Sequence, residues 1–293
     1  MPSKKTIIGT GLSGMVGSRF TEFYKDNFNF INLDLTTGTN ITNQDQVEKI
    51  LSKYSPTTLI HLAAFTDVSK AHQQTDDKSG LAYQVNVLGT KNISKACKKY
   101  GHYLIHISTD FVFDGKKNSK YTEEDIPSPI EWYGKTKYLA EREVINSGVN
   151  HAIVRIAFPF RSKFPGKLDL IRNIINKLKT NSLYPMFSDQ VITPTFTDDI
   201  CQVLKEFISK KPIGIYHAVG STSISPFDLA KKISQVFNIR ADIKEGSFKD
   251  FMKKDPRSRQ QYLKISNDKL KKDLGLTMKT LDQALEVLKS QLN

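Results

Sequence analysis

The chain has little cysteine. Cys97 and Cys201 are its only two, far apart and outside any CxxC or Cys/His grouping, which argues against a disulfide framework and against a zinc or other metal site. A reducing, cytoplasmic setting fits that usage best. No stretch reaches the run of about 18 apolar residues that a membrane-spanning helix needs, so no membrane association is expected. The start, "MPSKKTIIGTGLSGMVG", is basic and then apolar, but Gly9, Gly11, Gly14 and Gly17 interrupt it where a signal sequence would stay continuously apolar. There is no internal repeat, no low-complexity linker, no RNP-type aromatic motif, no zinc finger and no block of five consecutive like charges, so nucleic acid is not an expected partner.

What is present is a 293-residue chain of ordinary globular composition, 39% hydrophobic and 25% charged, large enough for one big or two modest domains. Its net charge of +13 is unevenly spread. Residues 1–150 hold 18 Lys+Arg against 16 Asp+Glu, while residues 151–293 hold 25 against 14. Such an excess attracts anionic ligands if it lines a cleft, and otherwise serves as a solvated surface. Within it, Arg257 and Arg259, with Lys254 beside them, are the first candidates to hold a substrate diphosphate, because the planar guanidinium fork suits phosphate oxygens.

The hydrophobic pattern alternates strand and helix. "KTIIG", "FNFINLD", "TTLIHLAA", "HYLIHIS" and "HAIVRIAF" read as near-continuous apolar strands, and "SRFTEFYKD", "NQDQVEKILSKY" and "LAYQVNVLGTKNISKACKKYG" between them as helices. This predicts an α/β, Rossmann-type doubly wound parallel sheet. Beyond residue 160 the rhythm loosens into "DLIRNIINKLKT", "TDDICQVLKEFIS", "SPFDLAKKISQVF" and "TLDQALEVLKSQL", with the short strand "GIYHAVG". The expected division is a dinucleotide-binding domain over 1–160, with later segments returning to it, and a smaller, mostly helical substrate lobe over 161–293.

"GTGLSGMVGS" lies between the first strand and the first helix, where a phosphate-binding turn belongs. Gly9, Gly11 and Gly14 satisfy G-x-G-x-x-G, which lets the backbone approach a pyrophosphate lying at a helix N-terminus. Asp34 ends the second strand 20 residues after Gly14, placed to hydrogen-bond a ribose hydroxyl. Leu35, Thr36 and Thr37 bring no cation to offset its charge against a 2′-phosphate, so NAD(H) is favoured, with NADP(H) as the alternative.

The fourth strand ends in "HISTDFVFDG" and is followed by "EWYGKTKYLAE", in which Tyr133 and Lys137 stand four apart on one helical face. Ser108, Thr109 and Asp110 fall at a carboxyl strand end, facing a cofactor crevice in a doubly wound sheet. Thr109 then orients a substrate carbonyl, Tyr133 supplies a proton, and Lys137 is expected to lower the phenol from its ordinary value of about 10.

At these motifs the chain resembles the extended short-chain dehydrogenase/reductase superfamily and, within it, the dTDP-4-dehydrorhamnose reductase family. The likeness runs through "TGLSGMVG", "HLAAFTDVSKA", "NVLGTKNI", "STDFVFDG", "WYGKTKYLAE" and "SDQVITPTFTDDI", most of residues 5–200. It implies that Thr109, Tyr133 and Lys137 are catalytic. It places Gly11, Ser13, Gly14, Met15, Val16, Asp34, Leu62, Ala63, Ala64, Asn86, Ser108, Tyr133 and Lys137 around the dinucleotide, and Thr66, Thr109, Phe111, Phe158 and Gln190 near a sugar. The implied activity is NAD(P)H-dependent reduction of a nucleotide-linked 4-keto-6-deoxy sugar, as in dTDP-rhamnose biosynthesis, by a monomer or homodimer. Two alternatives stay open: an NDP-sugar epimerase, and a non-enzymatic subunit resembling the methionine adenosyltransferase regulatory subunit. The chain departs from the family at Asn40, where a second acid is usual, and at Phe158 and Phe160, where a tryptophan or tyrosine pair is usual. Phe111, where the related 4,6-dehydratases place a glutamate, disfavours dehydration.

Overall fold

The computed structural model describes residues 4–292. Five apolar strands, β1 (Lys5–Thr10), β2 (Phe28–Asn32), β3 (Thr58–His61), β4 (Tyr103–Thr109) and β5 (His151–Ile156), join the strand Gly214–His217 in one sheet of order β2-β1-β3-β4-β5 and then Gly214–His217. The pairs β1 with β2, β1 with β3 and β3 with β4 are parallel. Their register sets Ile31, Ile8, Leu59 and Leu104 in a row across the sheet. That row packs against Val47 and Leu51 of one helix, Ile93, Ala96 and Cys97 of a second and Val144 of a third. Chain direction reverses its spread between β1 and β3, the switch point at which doubly wound sheets bind ligands beyond the carboxyl strand ends.

The chain packs into two compact units. One comprises residues 1–112, 127–155 and 201–216; the other comprises 113–126, 156–200 and 217–293. In the first, helix α1 (Met15–Tyr24) follows β1 and helix α2 (Gln44–Leu51) follows β2, the latter capped by the Asn43 side chain, which accepts from the Gln46 amide at 3.0 Å. The long helix expected over 81–101 is not uniform. A single turn at Leu81–Tyr83 runs into a π-helical stretch, Gln84–Gly89, before the α-helix Thr90–Tyr100 ends on left-handed Gly101. In the second unit the helices Leu170–Lys179, Pro226–Val236 and Leu281–Leu292 close around a core that includes Phe160, Ile174, Ile233 and Leu285. Among the described residues no helix is long and apolar enough to cross a membrane.

Candidate active site

The turn after β1 is built by backbone proximity. Gly11 lies at φ +71°, and a Cβ there would meet the Ala63 nitrogen at 2.6 Å and the Leu62 carbonyl carbon at 2.8 Å, so only glycine lets the loop lie on the residues that follow β3. Thr10 fastens the same junction, accepting from the Leu62 amide on its carbonyl at 3.0 Å and from the Ala63 amide on its hydroxyl at 3.2 Å. Helix α1 starts after Gly14 with no side-chain cap, so the residues Ser13–Val16 present the amide end of a helix to the switch point. Asp34 is buried and turned into this loop: its carboxylate accepts from the Gly11 amide, from the Ser13 amide at 3.0 Å and from the Ser13 hydroxyl at 2.7 Å.

Asn86 sits on the π-helical stretch and is 1% exposed. Its side chain brackets Phe65, accepting from the Phe65 amide at 2.7 Å and donating to the Phe65 carbonyl at 3.2 Å, and also donates to the Thr136 hydroxyl at 2.9 Å. It thereby fixes the segment after β3 that carries Leu62, Ala63, Ala64 and the exposed Thr66.

Glu131 opens the helix Trp132–Asn146, its carboxylate accepting from the amides of Tyr133 at 2.8 Å and Gly134 at 2.5 Å. This helix approaches the end of β4 so closely that a Cβ on Gly134 would meet the Phe111 carbonyl oxygen at 2.2 Å. The approach brings Thr109, Tyr133 and Lys137 together. Thr109 donates its hydroxyl to the Asp110 carboxylate at 3.1 Å, and the Phe111 ring meets the Tyr133 ring edge-on at 5.8 Å. Lys137 is 3% exposed and donates from Nζ to the Ile107 carbonyl at 2.7 Å.

The electrostatics correct one expectation. Burial raises the Tyr133 phenol above its ordinary value; the Thr109 hydroxyl pulls the other way, while the nearby Asp110 and Glu131 carboxyls push it further up. The phenol is therefore raised rather than brought toward neutrality, and Tyr133 is protonated at neutral pH. Burial also draws Lys137 down to about 8, against the opposing pull of Glu141. Asp110 and Glu131 are both raised by burial to about 7.

Ser108 turns its hydroxyl onto Glu141 at 2.6 Å. In the second unit Phe158 holds a positive φ of 39° and accepts on its carbonyl from the Thr195 amide at 3.2 Å. Gln190 donates to the Gln260 carbonyl at 3.0 Å. Arg257 and Arg259 both reach the Asp255 carboxylate, at 3.0 and 2.9 Å. The two arginines hold that carboxylate well below the usual range, the Arg257 hydrogen bond most of all. Sequence reasoning missed Glu131, Glu141, Arg155 and the Ile107 carbonyl. Only Glu141 left a signal, since it stands one helical turn beyond Lys137 on the same face.

The family model described as RmlD substrate binding domain matches residues 5–293. A dTDP-4-dehydrorhamnose reductase of Aggregatibacter actinomycetemcomitans is 31% identical over 75% of both chains. The crystal structure of dTDP-4-dehydrorhamnose reductase from Bacillus anthracis in complex with NADP superposes with a TM-score of 0.90 at 28% identity, covering 99% of this chain and 100% of that one. The methionine adenosyltransferase 2 subunit beta of Rattus norvegicus is 28% identical over 82% of this chain and 74% of its own length.

Proposed function

Because the chain belongs to the RmlD substrate-binding-domain family of extended short-chain dehydrogenase/reductases, we propose that it reduces the ketone of a nucleotide-linked 4-keto-6-deoxy sugar with a nicotinamide dinucleotide. The observation that carries this reading is the Tyr133 ring set edge-on against Phe111 just past the end of β4, with Lys137, one helical turn away, held by the Ile107 carbonyl of the same strand. When bound, the dinucleotide supplies hydride to the carbonyl carbon. Thr109 orients the carbonyl oxygen, and Tyr133 gives its proton to that oxygen as negative charge gathers there, so the ketone leaves as a secondary alcohol. Lys137 steadies the phenolate that remains.

The fit of a dinucleotide rests on the uncapped start of α1 and on Gly11, whose missing side chain leaves the loop flush with Leu62 and Ala63. Gly11, Ser13, Gly14, Met15 and Val16 would meet the pyrophosphate, and Leu62, Ala63 and Ala64 the bases and riboses beside the switch point, with Asn86 holding that segment in place. Asp34 favours NADH over NADPH, because a second negative charge beside its buried carboxylate is unfavourable and no cation accompanies it in Leu35–Thr37. Dinucleotide binding falls to residues 1–160 with later segments returning, and sugar binding to 161–293. Within the second unit, Phe158 in its strained backbone, Gln190, Arg257 and Arg259 are the proposed sugar-nucleotide contacts, and within the first unit Thr66 and Phe111 are.

A second reading has its own support in the likeness to the methionine adenosyltransferase 2 beta subunit: a regulatory subunit that keeps the fold and the Tyr133–Lys137 pair without turnover. Loss of NADH absorbance on adding a dTDP-4-keto-6-deoxy sugar decides between them. No oxidation with any such sugar, together with capture of a partner enzyme by the purified chain, would overturn the reductase reading.

A further inference from the structure

Behind the Tyr133 helix lies a charged cluster that the proposed chemistry does not use. Glu141 is 1% exposed and Arg155, on β5, is 2% exposed. Their side chains meet in two parallel bonds, Arg155 Nε to Glu141 Oε1 at 2.9 Å and Arg155 Nη2 to Glu141 Oε2 at 2.7 Å. Ser108 donates to the same carboxylate at 2.6 Å. Consecutive residues of β4 thus hold consecutive turns of the helix Trp132–Asn146: the Ile107 carbonyl takes Lys137, and the Ser108 hydroxyl takes Glu141. A buried ion pair is weak evidence of stabilisation, since apolar residues of similar volume often do as well. Its place one turn from the lysine calls for another explanation.

We propose that the buried Glu141–Arg155 pair is a positioning device for Lys137: clamped by Arg155 and Ser108, the Glu141 carboxylate fixes the helix register on β4 and holds the lysine in its charged form. This rests on the reading of Lys137 as the cation beside the proton donor. Glu141 opposes the burial that draws the Lys137 ammonium down, and Arg155, a like charge paired to the same carboxylate, should act on the lysine in the opposite sense. Two histidines that bear on Lys137 carry no charge near neutrality. His61 on β3, bonded to the hydroxyls of Thr10 and Thr90, is held neutral to about pH 3 by burial. His106 on β4 is also buried and is pushed well below its ordinary value. Asp110 and Glu131, both raised to about 7, bear on the neighbouring Tyr133 phenol.

The two members of the pair should therefore move Lys137 in opposite directions. In full-length protein carrying isotope-labelled lysine, the side-chain resonance lost in Lys137→Met identifies the group, and its titration midpoint is read for each variant. Glu141→Gln removes the carboxylate that raises Lys137 and should lower the midpoint by about one unit or more. Arg155→Met leaves Glu141 unopposed and should raise it. The double variant Glu141→Gln/Arg155→Met buries no lone charge and should titrate below the wild type but above Glu141→Gln, which keeps the test standing if a single variant does not fold. The alkaline limb of turnover should follow the same order. If the midpoint is unchanged in whichever of these variants fold, with only stability altered, the pair is a plain fastening of helix to sheet and the proposal fails. If the wild type reduces no sugar at all, the proposed activity fails, while the lysine titration still decides the clamp.

Discussion

Asp34 and Ser13 are joined twice, the carboxylate accepting from the serine amide at 3.0 Å and from its hydroxyl at 2.7 Å, so the acid two residues past β2 also sets the shape of the turn after β1. Asp34→Ala should accordingly damage the loop as well as any ribose contact. We expect the dissociation constant for NADH to rise by about tenfold or more, the loss of one charge-assisted hydrogen bond. The constant for NADPH should rise less, because the same change removes a repulsion. Fluorescence titration with both dinucleotides measures this, and an equal loss for the two would remove Asp34 from the basis of the preference.

Tyr133→Phe should leave dinucleotide affinity nearly intact and lower turnover by roughly a hundredfold or more, the scale of a lost general acid. The ring packs edge-on against Phe111, and phenylalanine keeps that contact while losing the hydroxyl. Undiminished turnover of any substrate the parent reduces would show that the proton comes from elsewhere.

Lys137 makes stability depend on pH in a stated direction. Its folded-state value of about 8 lies below the ordinary 10.5. From about pH 8 to 10.5 the unfolded chain keeps a proton that the folded chain has released, so the lysine's contribution to stability improves as pH rises through that window. Below it both states hold the proton, and burying the cation costs about 3 kcal/mol at most. Urea denaturation of wild type and Lys137→Met should show the variant's relative advantage shrinking between pH 7.5 and 9.5, on the order of 1–2 kcal/mol over that interval. A constant difference would mean that the lysine titrates normally.

Gly134→Ala should be poorly tolerated, since its methyl would lie 2.2 Å from the Phe111 carbonyl oxygen and backbone must move to admit it. We expect a loss of about 2 kcal/mol or more, read as a melting temperature about 4 °C or more lower. Turnover should fall alongside, because the same shift draws Tyr133 away from Thr109.

Arg257 and Arg259 share Asp255, so their charge is partly occupied. If they hold a substrate diphosphate, the double change to glutamine should raise the Michaelis constant for the sugar nucleotide and flatten its salt dependence while leaving NADH affinity alone. Unchanged kinetics at low ionic strength would assign the diphosphate to other residues.

Much of this was legible in the order of residues, for a local reason. The glycine turn, Asp34 just past β2, Thr109 at the end of β4 and the Tyr133–Lys137 pair each depend on a single strand end or a single helical face, which short-range spacing encodes. The π-helical stretch at Gln84–Gly89 was not legible, because its apolar pattern serves an α-helix equally well. Nor was the partnership of Ser108 and Arg155 on Glu141, which exists only once β4 and β5 lie side by side. The balance of forces on Tyr133 was misjudged from spacing for the same reason: four residues on a helix report proximity to a lysine, but not the burial that outweighs it.

The strand Gly214–His217 completes the sheet at the far side of β5, and residues 201–216 belong to the same unit as β1. On the ribosome this means that the first five strands are synthesised long before the sixth emerges. The intervening residues 157–213 must meanwhile be made without sealing β5 into a wrong pairing. A fragment ending at residue 160 would present the open side of β5 to whatever strand came near, so expression of the first half alone should give a protein prone to self-association.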